Sequence, residues 1–87
     1  MEDAEFLHQM KKRIESAAGT AIDLEIDPED KRRISIDLAG PVPRLVFGSD
    51  ILLHAGLARM YSQYAILCLK ERRQVGEQEF LLFLRRN

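Results

Sequence analysis

The fold is decided by the central stretch of the chain, residues 22–38, which reads IDLEIDPEDKRRISIDL. Apolar and polar residues alternate over 22–27 and again over 33–38. Because successive side chains of a β-strand point to opposite faces, this alternation predicts two strands, each with one apolar and one solvated face. We expect the strands to span 21–27 and 32–38 and to form a hairpin through the turn residues Pro-Glu-Asp.

The register of this hairpin follows from the same pattern. Pairing Leu24 with Ile34 keeps both apolar sets on one face, and it also places Glu25 opposite Arg33. The three-residue turn then puts Asp30 in the left-handed conformation, which aspartate tolerates better than most residues.

Helical spacing dominates the residues on either side of the hairpin. Apolar residues recur every three or four positions over 3–18, which predicts an N-terminal helix that Gly19 can end. After the hairpin, the sequence Gly-Pro-Val-Pro predicts a turn into a short third strand at 44–47. Ser49 is a suitable N-cap for a long second helix over 50–74.

The last segment, residues 77–85, contains the apolar run FLLFL at 80–84. Its glutamate, glutamine, leucine and arginine content favours a short helix. A strand buried on both faces remains the alternative, because five consecutive apolar residues suit it as well.

Together these elements predict one α+β domain of 87 residues in two layers, with the order α-β-β-β-α(-α). In this arrangement a three-stranded antiparallel sheet packs on the short N-terminal helix and on the long second helix. No repeat, linker or low-complexity tract divides the chain.

The second half of the chain carries more apolar surface than we expect one copy to cover. A helix over 50–74 would be about 36 Å long, whereas the hairpin strands span about 23 Å. We therefore expect a protein interaction or assembly module that associates with itself as a homodimer or binds another protein. The predicted interface comprises Leu53, Gly56, Met60, Tyr64, Leu67, Phe80, Leu81, Phe83 and Leu84.

Gly56 supports two interpretations. A glycine inside a helix lowers its stability by about 1 kcal/mol relative to alanine, so its presence at this position needs an explanation. With Ala55 and Ala58 it forms a smooth patch, on which either another element of the same chain or a second copy could pack closely.

Composition limits the other classes of function. The formal net charge is −1 and there is one cysteine, so an internal disulfide is excluded and a reducing, cytoplasmic location is expected. The apolar window 51–69 contains His54 and Arg59, which makes it too polar to span a membrane. The acidic N-terminus does not resemble a secretory signal.

No combination of residues predicts catalysis, a cofactor or a metal site. His8 and His54 have no partner at ligand spacing, and Cys68 lies in an apolar stretch typical of a core residue. Asp23, Glu25 and Asp27 form an acidic strand face, which we interpret as a solvated surface paired with basic residues rather than a cation site.

The alternative function is a nucleic-acid or ribonucleoprotein accessory domain. Three basic clusters support it, at 11–13, 31–33 and 70–73, but each has acidic neighbours and the near-neutral charge makes nucleic-acid binding the weaker hypothesis. The residues concerned are Lys11, Lys12, Arg13, Lys31, Arg32, Arg33, Arg72 and Arg73.

Overall fold

A computed structural model describes residues 3–74 and 77–86 of the chain. Three helices cover one face of a three-stranded sheet, which confirms the α+β fold in two layers. The elements are α1 (Asp3–Ala18), β1 (Asp23–Asp27), β2 (Ile34–Asp37), β3 (Arg44–Gly48), a 3₁₀ turn (Ser49–Leu52), α2 (Ala55–Glu71) and α3 (Glu77–Arg86).

Helix α1 has the bounds that the sequence predicts, and Gly19 ends it in the left-handed conformation, with φ of 74°. The Gly19 N–H donates to the Glu15 carbonyl at 2.9 Å, which satisfies one of the free carbonyls at the helix end. The Glu15 carboxylate accepts a hydrogen bond from the Ile22 N–H at 3.0 Å. This side chain therefore fixes the chain where it turns from α1 toward the sheet.

The expectation of an antiparallel sheet built on a β1–β2 hairpin is wrong. Strand order is β1-β3-β2, so β3 lies in the middle, parallel to β1 and antiparallel to β2. Leu24 and Ile34 therefore do not pair with each other; Leu24 lies opposite Leu45, and Ile34 lies opposite Phe47.

Charge and burial explain why β3 takes the central place. Leu45 and Phe47 are fully buried there, between the apolar residues of both neighbouring strands. On the other face, Arg44 lies between the acidic outer strands, with its guanidinium 3.9 Å from a Glu25 carboxylate oxygen and 3.7 Å from one of Asp37. A β1–β2 hairpin would leave this arginine outside the acidic pair.

The connection from β1 to β2 is also not the three-residue turn expected. Asp27 Oδ1 accepts hydrogen bonds from the Glu29 and Asp30 N–H groups at 3.0 and 3.1 Å. Asp30 does not have positive φ, since Arg72 is the non-glycine residue with positive φ in the described chain. The longer loop is needed because it spans two strand spacings, about 10 Å, rather than one.

Gly48 allows this loop to cross the end of β3. A Cβ atom on Gly48 would lie 1.9 Å from the Lys31 carbonyl oxygen and 2.6 Å from the Arg32 nitrogen. The Asp50 N–H then donates to the same Lys31 carbonyl at 3.2 Å. The loop before β2 and the chain after β3 are therefore joined backbone to backbone.

The predicted helix over 50–74 is divided, and Ser49 does not cap it. Ser49 begins the 3₁₀ turn, and the chain is extended again at His54, the N-cap of α2, with φ of −135°. Before the break, the Asp50 N–H donates to the Lys31 carbonyl, which ties the 3₁₀ turn to the β1–β2 loop. At the other end, Arg72 adopts the left-handed conformation, with φ of 54°, and ends α2 before residue 74.

The C-terminal segment is a helix, as its composition favoured, rather than a strand. The α1 helix contacts β1 and α2, while α3 contacts β2 and α2. The three helices thus lie side by side over the sheet, with α2 in the centre, and share one core.

Candidate protein interface on the C-terminal helix

One side of α3 closes the core of its own chain. Phe80 is 2% exposed, and its ring centroid lies 4.4 Å from that of Tyr61 and 5.2 Å from that of Tyr64. The Phe83 ring lies 5.2 Å from Tyr64, and Tyr61 stacks on Phe47 of β3 at 5.4 Å. This aromatic cluster connects the sheet, α2 and α3, so α3 is an integral part of the fold.

The opposite side of α3 is apolar and open to solvent. Leu81 is 43% exposed and Leu82 is 54% exposed, although both are large aliphatic side chains. Together with Gln78 and Arg85 they line a shallow depression of about 250 Å³. Spacings of three and four residues place these four residues on one side of the helix. We call this surface the α3 outer face.

The structure divides the predicted interface residues into three groups. Tyr64 and Phe80 are 2% exposed, so in this conformation both side chains pack inside the single chain. Met60, Leu67 and Phe83 are partly buried. Leu53, Gly56 and Leu81 are exposed, whereas the side chain of Leu84 lies outside the described part of the structure.

Much of the apolar surface expected to need a partner is therefore covered by the chain itself. The two phenylalanines of the FLLFL run, Phe80 and Phe83, pack in the aromatic cluster, whereas Leu81 and Leu82 remain exposed. Leu82, which is more exposed than Leu81, was not among the predicted interface residues. A helix over 77–85 places Leu82 beside Leu81 on one side. Because a strand remained an alternative for this segment, the sequence did not define which way each side chain faces.

Gly56 lies at the second position of α2, not inside a long helix. Among the described residues, no neighbour approaches within 4 Å of a Cβ built there. Close packing of another element of the same chain on this glycine is therefore wrong. Leu53, just before α2, is 71% exposed.

The buried polar groups of α2 do not resemble a reactive centre. Burial raises the pKa of the Cys68 thiol, which keeps it protonated and weakly nucleophilic. Burial, with a smaller contribution from the neighbouring Cys68, raises the pKa of the Tyr64 hydroxyl above its ordinary value. This hydroxyl is buried without a hydrogen-bond partner among the described residues.

Two of the three acidic residues of the β1 strand face, Glu25 and Asp27, lie beside arginines of the same chain. Hydrogen bonds from the Asp30 and Glu29 N–H groups, with a smaller contribution from Arg33, lower the pKa of Asp27 below its usual range. Glu25 faces Arg44. Within residues 3–74 and 77–86, no group of three or more His, Cys, Asp or Glu side chains is arranged to hold a metal ion.

The basic clusters lie on separate parts of the fold. Residues 11–13 belong to α1, 31–33 to the β1–β2 loop, and 72–73 to the end of α2. Several of these side chains face carboxylates: the guanidinium of Arg32 lies 3.8 Å from Asp50, that of Arg33 3.2 Å from Asp27, and that of Arg73 2.7 Å from Glu71. No continuous basic surface follows from these positions, and nucleic-acid binding stays a prediction.

No protein-family model matches the chain, and neither the comparison with curated proteins nor that with solved structures found a match. In the described part of the chain, no helix is both long and apolar enough to cross a membrane. Any functional proposal therefore depends on the contacts and exposures given above.

Proposed function

We propose that this protein is a small assembly module that forms a homodimer through the α3 outer face. The observation that carries the proposal is the pair of exposed leucines, Leu81 and Leu82, on a helix whose other side is fixed by the aromatic cluster. A rigidly held apolar surface loses little conformational freedom when a partner covers it.

Charge favours a second copy as the partner. The first turn of α3 contains acidic residues, and its last turn contains arginines. If the two-fold axis is perpendicular to the α3 helices, the two helices run antiparallel, and the acidic turn of each lies beside the basic turn of the other. Leu81 then meets Leu82 of the second copy, and Gln78 meets Arg85.

The expected affinity is modest. A fully buried leucine contributes roughly 1.5–3 kcal/mol, and about half of each of these side chains is still exposed, so four leucines supply about 3–6 kcal/mol. Association itself opposes this with about 4 kcal/mol or more. The leucines alone therefore leave at most about 2 kcal/mol, a dissociation constant of about tens of millimolar, so the dimer is weak and depends also on the charge contacts at the helix ends.

Sedimentation equilibrium between about 10 μM and 1 mM tests the proposal. The weight-average mass of the wild-type protein should rise above that of a monomer toward 1 mM, and Leu82→Glu should remain monomeric with an unchanged circular dichroism spectrum, because Leu82 is outside the core. Gln63→Glu, which adds the same charge at an exposed position of α2, is the matched control and should dimerise normally. Wild-type protein that stays monomeric at 1 mM would contradict the proposal.

The antiparallel geometry has its own test. Gln78→Glu should strengthen the dimer, because each copy gains an ion pair with Arg85 of the other, and Gln78→Lys should weaken it. With about 0.2–1 kcal/mol for each of two exposed pairs, the two dissociation constants should move by about two- to thirtyfold in opposite directions. Equal effects of both substitutions would exclude this arrangement.

A reducing compartment such as the cytoplasm suits the proposal. The one cysteine is a buried thiol that takes no part in the α3 outer face. Dimerisation should therefore be identical in the presence and absence of a reducing agent.

A further inference from the structure

A second apolar surface lies on the other side of α2, in a groove between α1 and α2. Its apolar lining comprises Phe6 and Met10 of α1 with Ala55 and Ala58 of α2, and its volume is about 260 Å³. The short alanine side chains leave this space open. The hydroxyl of Ser62, which also borders the groove, already donates to the Ala58 carbonyl at 2.9 Å.

The charged residues that border this groove are all basic. Arg13 of α1 and Arg59 of α2 line it, both are exposed, and neither forms an ion pair with another described residue. The first residue of α2, Ala55, is also in the lining, and α2 has neither a side-chain cap nor an acidic residue in its first turn. The positive end of this helix is therefore not compensated locally.

We infer that the α1–α2 groove binds a small amphipathic anion, whose apolar tail lies between the helices and whose carboxylate contacts Arg13 and Arg59. The volume decides the size of the ligand, since it is below the roughly 300–1,000 Å³ of sites for drug-sized molecules and suits a medium-length acyl chain. Two forked guanidinium groups with free donors recognise a carboxylate geometrically as well as by charge.

Titration of sodium octanoate into the ¹⁵N-labelled full chain tests the inference. Saturable shifts are expected at the amides of Gln9, Ala58 and Ser62, which border the groove. Octan-1-ol has the same tail and no charge, so it should bind more weakly. Arg13→Gln with Arg59→Gln should weaken octanoate binding about tenfold, as expected for two exposed ion pairs, and should leave octanol unchanged.

Matched variants separate this site from general effects. Lys12→Gln with Lys70→Gln removes the same charge from exposed positions of the same two helices and should leave octanoate affinity unchanged. Ala55→Leu fills the groove from an exposed position and should weaken octanoate and octanol alike.

Three results would overturn the inference: shifts that do not saturate, shifts centred on Leu81 and Leu82, or equal affinities for octanoate and octanol. Binding to phosphatidylserine vesicles without binding to free octanoate would also overturn it, because the site would then recognise a lipid surface. Since the α3 outer face lies elsewhere, failure of this inference leaves the proposed dimer intact.

Discussion

Replacing Gly48 by alanine should destabilise the fold far more than a buried methyl group ordinarily does. The new Cβ would lie 1.9 Å from the Lys31 carbonyl oxygen and 2.1 Å from its carbonyl carbon, which are backbone atoms that no side-chain rotation can move aside. The loop must shift, and the hydrogen bond from the Asp50 N–H to Lys31 is lost with it.

The magnitude follows from two contributions. Overpacking of this kind costs about 1–3 kcal/mol, and one backbone hydrogen bond contributes about 0.5–1.5 kcal/mol, so the free energy of unfolding should fall by about 2–4 kcal/mol. In a domain of this size, each kcal/mol lowers the melting temperature by about 4–8 °C. The melting temperature should therefore fall by at least about 8 °C.

Other glycines of the same chain provide matched controls. Gly56→Ala should be neutral or stabilising by up to about 1 kcal/mol, because the position is helical and its surroundings are open. Gly19→Ala should destabilise by about 1 kcal/mol, because its φ is 74° although space is available. Urea unfolding followed by circular dichroism at one protein concentration measures all three, and a Gly48→Ala variant as stable as Gly56→Ala would refute the close approach.

Four further substitutions test the core, the loop and the orientation of α3. Asp27→Asn keeps an acceptor for the loop N–H groups but does not titrate. Because folding lowers the pKa of Asp27, the stability that this carboxylate contributes is complete above the ordinary value of 3.8 and is lost as the pH falls below it. Melting temperatures measured from pH 2.5 to 6 should therefore depend less on pH in the variant than in the wild type. Tyr64→Phe removes a buried hydroxyl without a partner and should raise stability by about 1 kcal/mol in urea unfolding at pH 7; a loss of stability would mean that the hydroxyl is bonded. Phe80→Ala should cost about 3–5 kcal/mol and Leu82→Ala less than about 1 kcal/mol, and similar losses would show that α3 is oriented differently.

The sequence predicts α1 and α3 well, because the patterns that define these helices are local. The apolar spacing from Leu7 to Ala17, followed by Gly19, defines α1 with its correct ends. The composition of residues 77–85 favours the helix that is found there. Both depend on neighbours within a few residues of each other.

Strand order cannot be predicted from local patterns, because it depends on contacts between residues that are distant in the sequence. The alternation over 22–38 gives the same faces whether β1 meets β2 or β3. The pairs that β3 forms with the outer strands, such as Leu24 with Leu45 and Ile34 with Phe47, join residues that the hairpin hypothesis never compares. The helix break at residues 53–54, where His54 is extended, is not marked by a proline in the sequence.

The candidate interface was predictable in part. The apolar run at 80–84 contains the exposed leucines of the candidate interface, and Leu81 was among the predicted residues. The sequence could not separate the inward phenylalanines from the outward leucines, because that distinction requires the helical orientation set by Tyr61 and Tyr64.

The central claim is that α3 closes its own core with one side and binds a second copy with the other. Isotope-filtered nuclear Overhauser spectroscopy on an equal mixture of labelled and unlabelled protein at 1 mM tests it most directly. We expect intermolecular contacts between the methyl groups of Leu81 and Leu82, and none to the ring of Phe80. Intermolecular contacts at Phe80, or none at the two leucines, would contradict the account.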